Sequence, residues 1–287
     1  MHALSKQSLA SKLINWFDKN KRDLPWRKTT PWGVFVSEFM LQQTPVNRVL
    51  PIWNEWMERW PTPEALASAT KPEVIKAWGR LGYPRRAIRL HESAKAISKM
   101  HGGIVPRERA DLIALPGVGD YTASAIAAFA YGEPTLVLDI NIRRFFARYF
   151  DGVEFPSSAP SLVERKLRSE LIPNKRGDVW AAATMEFGAL ICTSRTPSCD
   201  SCFLAKECAW KAAGYPKTEI KRQAAFAGSD RQCRGVVMKH LRENETVTTT
   251  QLKKSWPSES QLEKAVATLL EDGLIEKSGK KLRLATN

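Results

Sequence analysis

The stretch Leu115–Arg144, LPGVGDYTASAIAAFAYGEPTLVLDINIRR, decides how the rest of the chain is read. It opens on a tight turn, Leu115-Pro116-Gly117-Val118-Gly119, whose glycines suit positive φ and leave backbone amides bare. A helix of small residues follows from Tyr121 to Ala130, so those amides face a helix start. There the macrodipole favours an anion such as phosphate. Asp139 then comes directly after Leu136-Val137-Leu138, a pattern that puts a carboxylate at the edge of an apolar core. Each half alone has a plainer explanation, because a glycine turn is often only a turn and a lone Asp is often a helix cap. Their pairing in one short stretch is what gives them weight.

Composition supplies the partner. The 287 residues carry a formal charge of +14, which points to a polyanion, and this size and sign favour nucleic acid. The excess is spread along the chain, with 13 Lys and Arg against 8 Asp and Glu from residue 221 onward. The length suggests about two domains. No apolar run approaches the roughly 20 residues that span a bilayer. The N-terminus MHALSKQSLASKLINWF lacks the apolar core and cleavage site of a signal peptide. The expectation is a cytoplasmic, nucleoid-associated monomer with no membrane contact. Ten Trp, among them Trp16, Trp53, Trp56, Trp60 and Trp78, fall in helical patterns that suit an aromatic core.

Leu9, Leu13, Ile14 and Phe17 stand at helical spacing in residues 5–19. Lys21, Arg22, Pro25 and Trp26 break into a loop, and Pro31 starts a second helix, PWGVFVSEFMLQQT. Glu38 lies inside that apolar helix with no basic residue at i±3 or i±4. Desolvation there should raise its pKa, as a general acid near neutral pH requires. Helices are expected near 46–60, 64–69, 71–79, 84–100 and 108–114, then near 140–149, 161–171 and 178–191. Nothing before Gly214 reads as a strand, so the fold class is all-α.

Cys192, Cys199, Cys202 and Cys208 follow in the pattern C-x6-C-x2-C-x5-C. Four thiols in so short a run read as a metal or iron–sulfur site, and disulfides do not suit a chain without an export signal. Zinc is the second choice, since structural zinc usually takes two short hooks and only one is present. Cys233 stands apart as a plain buried thiol.

Together LPWR, SEFMLQQTPV, WGRLGYPRRA, LPGVGDYTASAI, LDINIRR and the cysteine spacing resemble the helix-hairpin-helix (HhH-GPD) base-excision DNA glycosylases with an iron–sulfur cluster, in the adenine glycosylase (MutY) branch. The likeness runs from about Leu24 to Pro216. It implies two helical lobes, double-stranded DNA carrying a mispair as partner, and a [4Fe-4S] cluster on the four cysteines. It also implies a role for individual residues. Glu38 matches the acid that protonates N7 of a flipped adenine and then directs water, and Asp139 matches the carboxylate that stabilises the oxocarbenium-like sugar. Asn141 matches the amide that holds that carboxylate. Tyr121 stands where relatives with strand-cleaving activity carry a Schiff-base lysine, which implies base removal without efficient lyase chemistry. Gln42, beside Gln43, and Tyr83 match side chains that wedge into the duplex. Gly117, Val118 and Gly119 match the phosphate-gripping hairpin. The chemistry agrees with the residue types, because adenine leaves poorly without a proton and the sugar cation needs an ionised partner. Flipping the base costs about a few kcal/mol, which wedging and phosphate contacts offset.

Two departures stand out. Pro84 occupies a position where the family usually has a second Tyr, and residues 216–287 stand where the branch usually carries a Nudix-like domain that reads 8-oxoguanine. The tail instead reads as helices over 231–242, TTTQLKKSW and SESQLEKAVATLLEDGLI, then a hairpin of Leu274–Lys277 and Lys281–Leu284. This order suits a winged helix, or else a small helical cap on the catalytic lobes. Charge alone makes Lys253, Lys254, Lys280 and Lys281 candidate DNA contacts. The domains expected are a six-helix lobe over 26–131, a cluster lobe of 1–25 plus 132–215, and a winged-helix-like domain over 216–287. Two other functions stay open: a monofunctional uracil or thymine mismatch glycosylase, and a non-catalytic DNA-binding or redox-sensing protein on the same scaffold.

Overall fold

The computed structural model describes residues 3–219 and 225–286. Its elements in chain order are α1 (Ala3–Asn20), α2 (Pro31–Leu41), α3 (Val46–Arg59), α4 (Pro63–Ala67), α5 (Lys71–Trp78), α6 (Arg85–Met100), α7 (Arg109–Ala114) and α8 (Asp120–Tyr131). Then come α9 (Ile140–Phe146), α10 (Leu162–Ser169), α11 (Gly177–Leu190), α12 (Ala209–Ala212) and α13 (Asp230–Glu243). The chain ends with β1 (Val247–Thr248), α14 (Thr249–Ser255), α15 (Glu259–Glu271), β2 (Ile275–Ser278) and β3 (Lys281–Leu284). Among the described residues no helix is long and apolar enough to cross a membrane.

Local chemistry sets these boundaries. Thr70 accepts from the Glu73 amide while the Glu73 side chain returns to the Thr70 amide, a capping box that starts α5. Pro63 and Pro72 enter α4 and α5 at their first turns, where a missing N–H costs nothing. α9 is shorter than expected because its last turn, Ala147–Asp151, is π-helical. Gly152 then ends it in the left-handed region.

The chain divides into two compact units, residues 1–34 with 107–113 and 118–221, and residues 35–106 with 114–117 and 222–287. This differs from the expected domains. The 118–131 segment belongs with the cysteine-bearing unit because Ala125 and Ala128 of α8 lie in one apolar cluster with Leu13, Phe145 and Phe187. In the same unit the carboxylate of Glu186, almost fully buried, is bracketed by Arg22 and Arg27 at 2.7 and 3.0 Å. The Arg of LPWR is therefore an ion-pair partner of the fold, not a chemical group.

The second unit contains the tryptophans of α3 and α5. Trp56 packs edge-on against Trp60 and Trp78, at 4.8 and 5.6 Å between ring centroids. The C-terminal segment shares this unit. β1 supplies a third strand that the sequence reading did not include, giving an antiparallel sheet in the order β1-β3-β2 with Val247 opposite Leu282 and Ile275 opposite Leu284. Helix, strand, two helices and a hairpin is the winged-helix topology. Its core of Val237, Leu241, Leu252, Leu262, Leu269 and Leu282 also includes Ile75 of α5 and Ile88 of α6. The segment is thus both a winged helix in topology and a cap packed on the helical unit. Cys233 lies in that core with no exposed surface.

Candidate active site

Asp139 is the N-cap of α9. One carboxylate oxygen accepts from the Ile142 amide at 2.6 Å and the other from Asn141 Nδ2 at 2.7 Å. The plain helix-cap explanation therefore holds. Burial pushes the Asp139 carboxyl above its ordinary range, against the Ile142 amide, the Asn141 amide and Arg144, which favour the charged form.

The support continues inward. Arg144 Nη2 donates to Asn141 Oδ1 at 3.0 Å and to the Gly188 carbonyl at 2.6 Å, and its Nε donates to the Cys192 carbonyl at 2.9 Å. A hydrogen-bonded chain thus runs from Asp139 to the first cysteine. Gly188 makes it possible, because a Cβ there would sit 2.6 Å from the Asn141 carbonyl oxygen. The sequence reading assigned no role to Arg144, Arg148 or Gly188. The available signal was the i, i+3, i+7 spacing of Asn141, Arg144 and Arg148, which puts all three on one helix face.

Tyr121 occupies the first turn of α8, half-buried against the same apolar cluster. Of the turn glycines, only Gly117 has positive φ (+79°), and a Cβ there would meet Arg89 at 2.7 Å and Phe39 at 3.0 Å. Gly119 is extended, with φ −104° and ψ −178°, and caps α8 with open space around it. Positive φ is therefore not what Gly119 provides. The Val118 side chain is buried, which leaves its backbone amide as the group the turn could present.

Glu38 lies in α2 at 5% exposure, between Val36 and Met40, which are fully buried. It and Asp139 belong to different compact units. α2 stops at Leu41, and Gln43 follows in the left-handed region with φ +54°. Arg86 organises this end. Its Nη1 donates to the carbonyls of Phe39, Met40 and Gln42 at 2.9, 3.0 and 2.6 Å. Its Nη2 donates to Thr44 Oγ1 at 2.9 Å and to the carbonyls of Leu81 and Gly82 at 3.3 and 3.1 Å. The same guanidinium lies 5.7 Å from the centre of the Tyr83 ring. One side chain therefore ties the Gln42 turn to the Tyr83 loop, and burial pulls its pKa down to about 10. Tyr83 is 51% exposed, with φ +47°.

All four cysteines line one cavity, walled by Phe145, Phe187, Leu204 and Trp210. Cys192 follows Ile191, the C-cap of α11, and Cys208 is the N-cap of α12. Burial raises the Cys192 thiol against the opposing effect of Arg148, whose Nη1 lies 3.6 Å from its sulfur. Cys202 is raised by burial and by the other three cysteines. Among the described residues no three His, Cys, Asp or Glu close on a single-ion position. The sulfurs surround a space rather than a point.

Comparison with known proteins agrees with this geometry. Residues 36–172 match the model of the HhH-GPD superfamily of base excision DNA repair proteins. The chain is 46% identical to the adenine DNA glycosylase of Mycolicibacterium smegmatis over 93% of its own length and 92% of that protein. It is 44% identical to the adenine DNA glycosylase of Mycobacterium tuberculosis over 93% and 90%. Against the adenine DNA glycosylase of Homo sapiens the identity is 40%, over 68% of this chain but 38% of that one. Among solved structures, a thermostable thymine-DNA glycosylase superposes with a TM-score of 0.67 at 28% identity, covering 72% of this chain and 97% of that one. A non-covalent endonuclease III–DNA complex superposes at 0.65 and 20% identity, over 75% and 100%, which shows the shared fold. The chain belongs to the HhH-GPD superfamily of base excision DNA repair proteins, in its adenine DNA glycosylase branch.

Proposed function

We propose that this DNA glycosylase removes adenine mispaired with 8-oxoguanine or guanine by hydrolysing the N-glycosidic bond. The observation that carries the reading is the near full-length likeness to mycobacterial adenine DNA glycosylases, together with a buried Glu38 and a capped, half-buried Asp139. The thymine-DNA glycosylase is the competing neighbour, but it is less similar and covers less of the chain.

In this mechanism Glu38 gives its proton to N7 of the flipped adenine. The C1′–N9 electrons pass to the base, and the ionised Asp139 faces the cation at C1′, transiently bonding it there. Water then attacks C1′ and returns its proton to Glu38, leaving free adenine and an abasic sugar. Tyr121 offers no amine to form a Schiff base, so the strand stays intact. Asn141 and the Ile142 amide hold Asp139 in place. Gln42 and Tyr83 enter the duplex, and the amides of Gly117, Val118 and Gly119 grip a phosphate.

The four cysteines hold a [4Fe-4S] cluster, as this family generally does. A cavity ringed by four thiols and apolar side chains suits a four-iron cube better than a lone zinc ion, which draws four sulfurs to about 2.3 Å. When bound, the cluster cross-links the 192–208 loop and converts costly buried thiols into ligated thiolates.

The purified protein should be incubated with duplexes carrying A:8-oxoguanine, A:G, U:G and T:G and then treated with hot alkali. Cleavage at adenine is expected, and cleavage only at U or T would reject the reading. Without alkali the strand should remain whole. Glu38→Gln should abolish excision while keeping duplex affinity. Metal analysis of the same preparation should return iron and sulfide, and zinc alone would overturn the cluster.

A further inference from the structure

Among the described residues no acceptor engages the backbone amide of Gly117. An unpaired amide at an exposed turn is either solvated or kept for a ligand, and a fold that aims it outward favours the second. Ser93 does the aiming. It lies in α6 with no exposed surface, and its Oγ donates to the Pro116 carbonyl at 2.6 Å. The Pro116–Gly117 bond is trans, and in a trans peptide the C=O and N–H point opposite ways. A carbonyl drawn inward to Ser93 therefore turns the Gly117 amide outward, and Gly117 is exposed.

One turn earlier on the same face of α6 stands Arg89. The 2.7 Å between its Cβ and a Cβ built on Gly117 places the stem of Arg89 directly against the turn. Phe39 closes the other side at 3.0 Å, buried and stacked on Phe35 with 5.1 Å between ring centroids. The Arg89 guanidinium is half exposed, and its ion pair is with Glu92 at 3.0 Å, three residues along the same helix. An exposed pair of this kind contributes little and gives way to a stronger partner. A phosphodiester is such a partner, since a guanidinium matches it in a forked, charge-assisted geometry.

We propose that α6 completes the phosphate grip of the hairpin: Ser93 aims the Gly117 amide outward, and Arg89 beside it supplies the positive charge. Ser93 is then a positioning residue and Arg89 a direct contact to the DNA backbone. This inference rests on the duplex being the substrate and on the hairpin meeting its backbone, as in the preceding subsection.

The test uses the full protein and a duplex carrying a tetrahydrofuran abasic analogue opposite 8-oxoguanine. Across a potassium chloride series, Arg89→Gln should reduce the slope of log affinity against log salt by about 0.9. It should also weaken binding about tenfold at ~0.1 M salt. Arg89→Lys, which keeps the charge, should retain the slope. The Arg89 head group is exposed, so the change leaves the fold alone, and an unchanged slope in Arg89→Gln would overturn the contact. For Ser93 the readout is hydrogen exchange at the Gly117 amide. Duplex binding should slow that exchange about tenfold in the parent, and Ser93→Ala should abolish the slowing. A serine that only stabilises the fold would lower the melting temperature and leave the slowing in place, which would refute the aiming role. Equal exchange in the free and bound parent protein would refute it without any variant. Loss of adenine specificity in the duplex panel would sink the glycosylase reading and leave the slope and exchange measurements intact.

Discussion

Asp139 shows how much one residue can carry. It caps α9, which any Asp before a helix can do, yet burial also raises its pKa, which an ordinary cap does not require. The sign follows directly. A carboxyl whose pKa is raised above the ordinary 3.8 is protonated at higher pH than usual, so activity that needs the anion is lost earlier on acidification. Asn141 donates to the charged form and holds that shift in check. In Asn141→Ala the acidic limb of the single-turnover rate should therefore move to higher pH, and the rate near neutrality should fall about a hundredfold. The pH profile of adenine release checks this, and an unmoved limb would detach Asn141 from Asp139. Asp139 was legible in the sequence because an acid after three apolar residues is conspicuous. The upward shift was not, because it depends on what surrounds the carboxyl.

At the scale of elements, α2 and the Tyr83 loop are held by one guanidinium with six acceptors. The C-terminal carbonyls of α2 need donors, since a helix end leaves them unpaired. Arg86 provides them and shares the same fork with the Leu81 and Gly82 carbonyls. Arg86→Met strands those carbonyls, at a cost of about 3 kcal/mol. The melting temperature should drop by about 6 to 10 °C. Excision from the mispair should fall further than duplex binding, because Gln42 and Tyr83 lose their common anchor. Arg86→Lys should recover only part, since an ammonium cannot fork. Equal loss of binding and excision would mean that Arg86 acts only on the fold. In sequence, RRA after a Tyr-Pro pair reads as two more cations in a basic chain. Nothing local says which of the two turns inward.

For the whole molecule, the open question was whether the tail is a tethered reader or part of the body. Ile75 is 1% exposed and Ile88 8%, and both lie in the core of the C-terminal segment. Their burial contributes roughly 1.5–3 kcal/mol each. A chain ending at Pro216 should therefore melt several degrees lower while keeping its cluster absorbance, and unchanged melting would show the tail to be only tethered. The sequence by itself determined the helical class, the capped and proline-led helix starts, the four-cysteine site and the candidate carboxylates, because periodicity, capping and ligand spacing are local. It also anticipated the hairpin and the three helices of the tail. The tertiary structure decided that α8 packs with the cysteine-bearing unit, that Arg27 pairs with Glu186 and that Arg86 and Arg144 turn inward. It decided too that Gly188 must lack a side chain. The physical reason is the same in each case. A buried cation is defined by the carbonyls and carboxylates that surround it, and those come from residues far away in the chain.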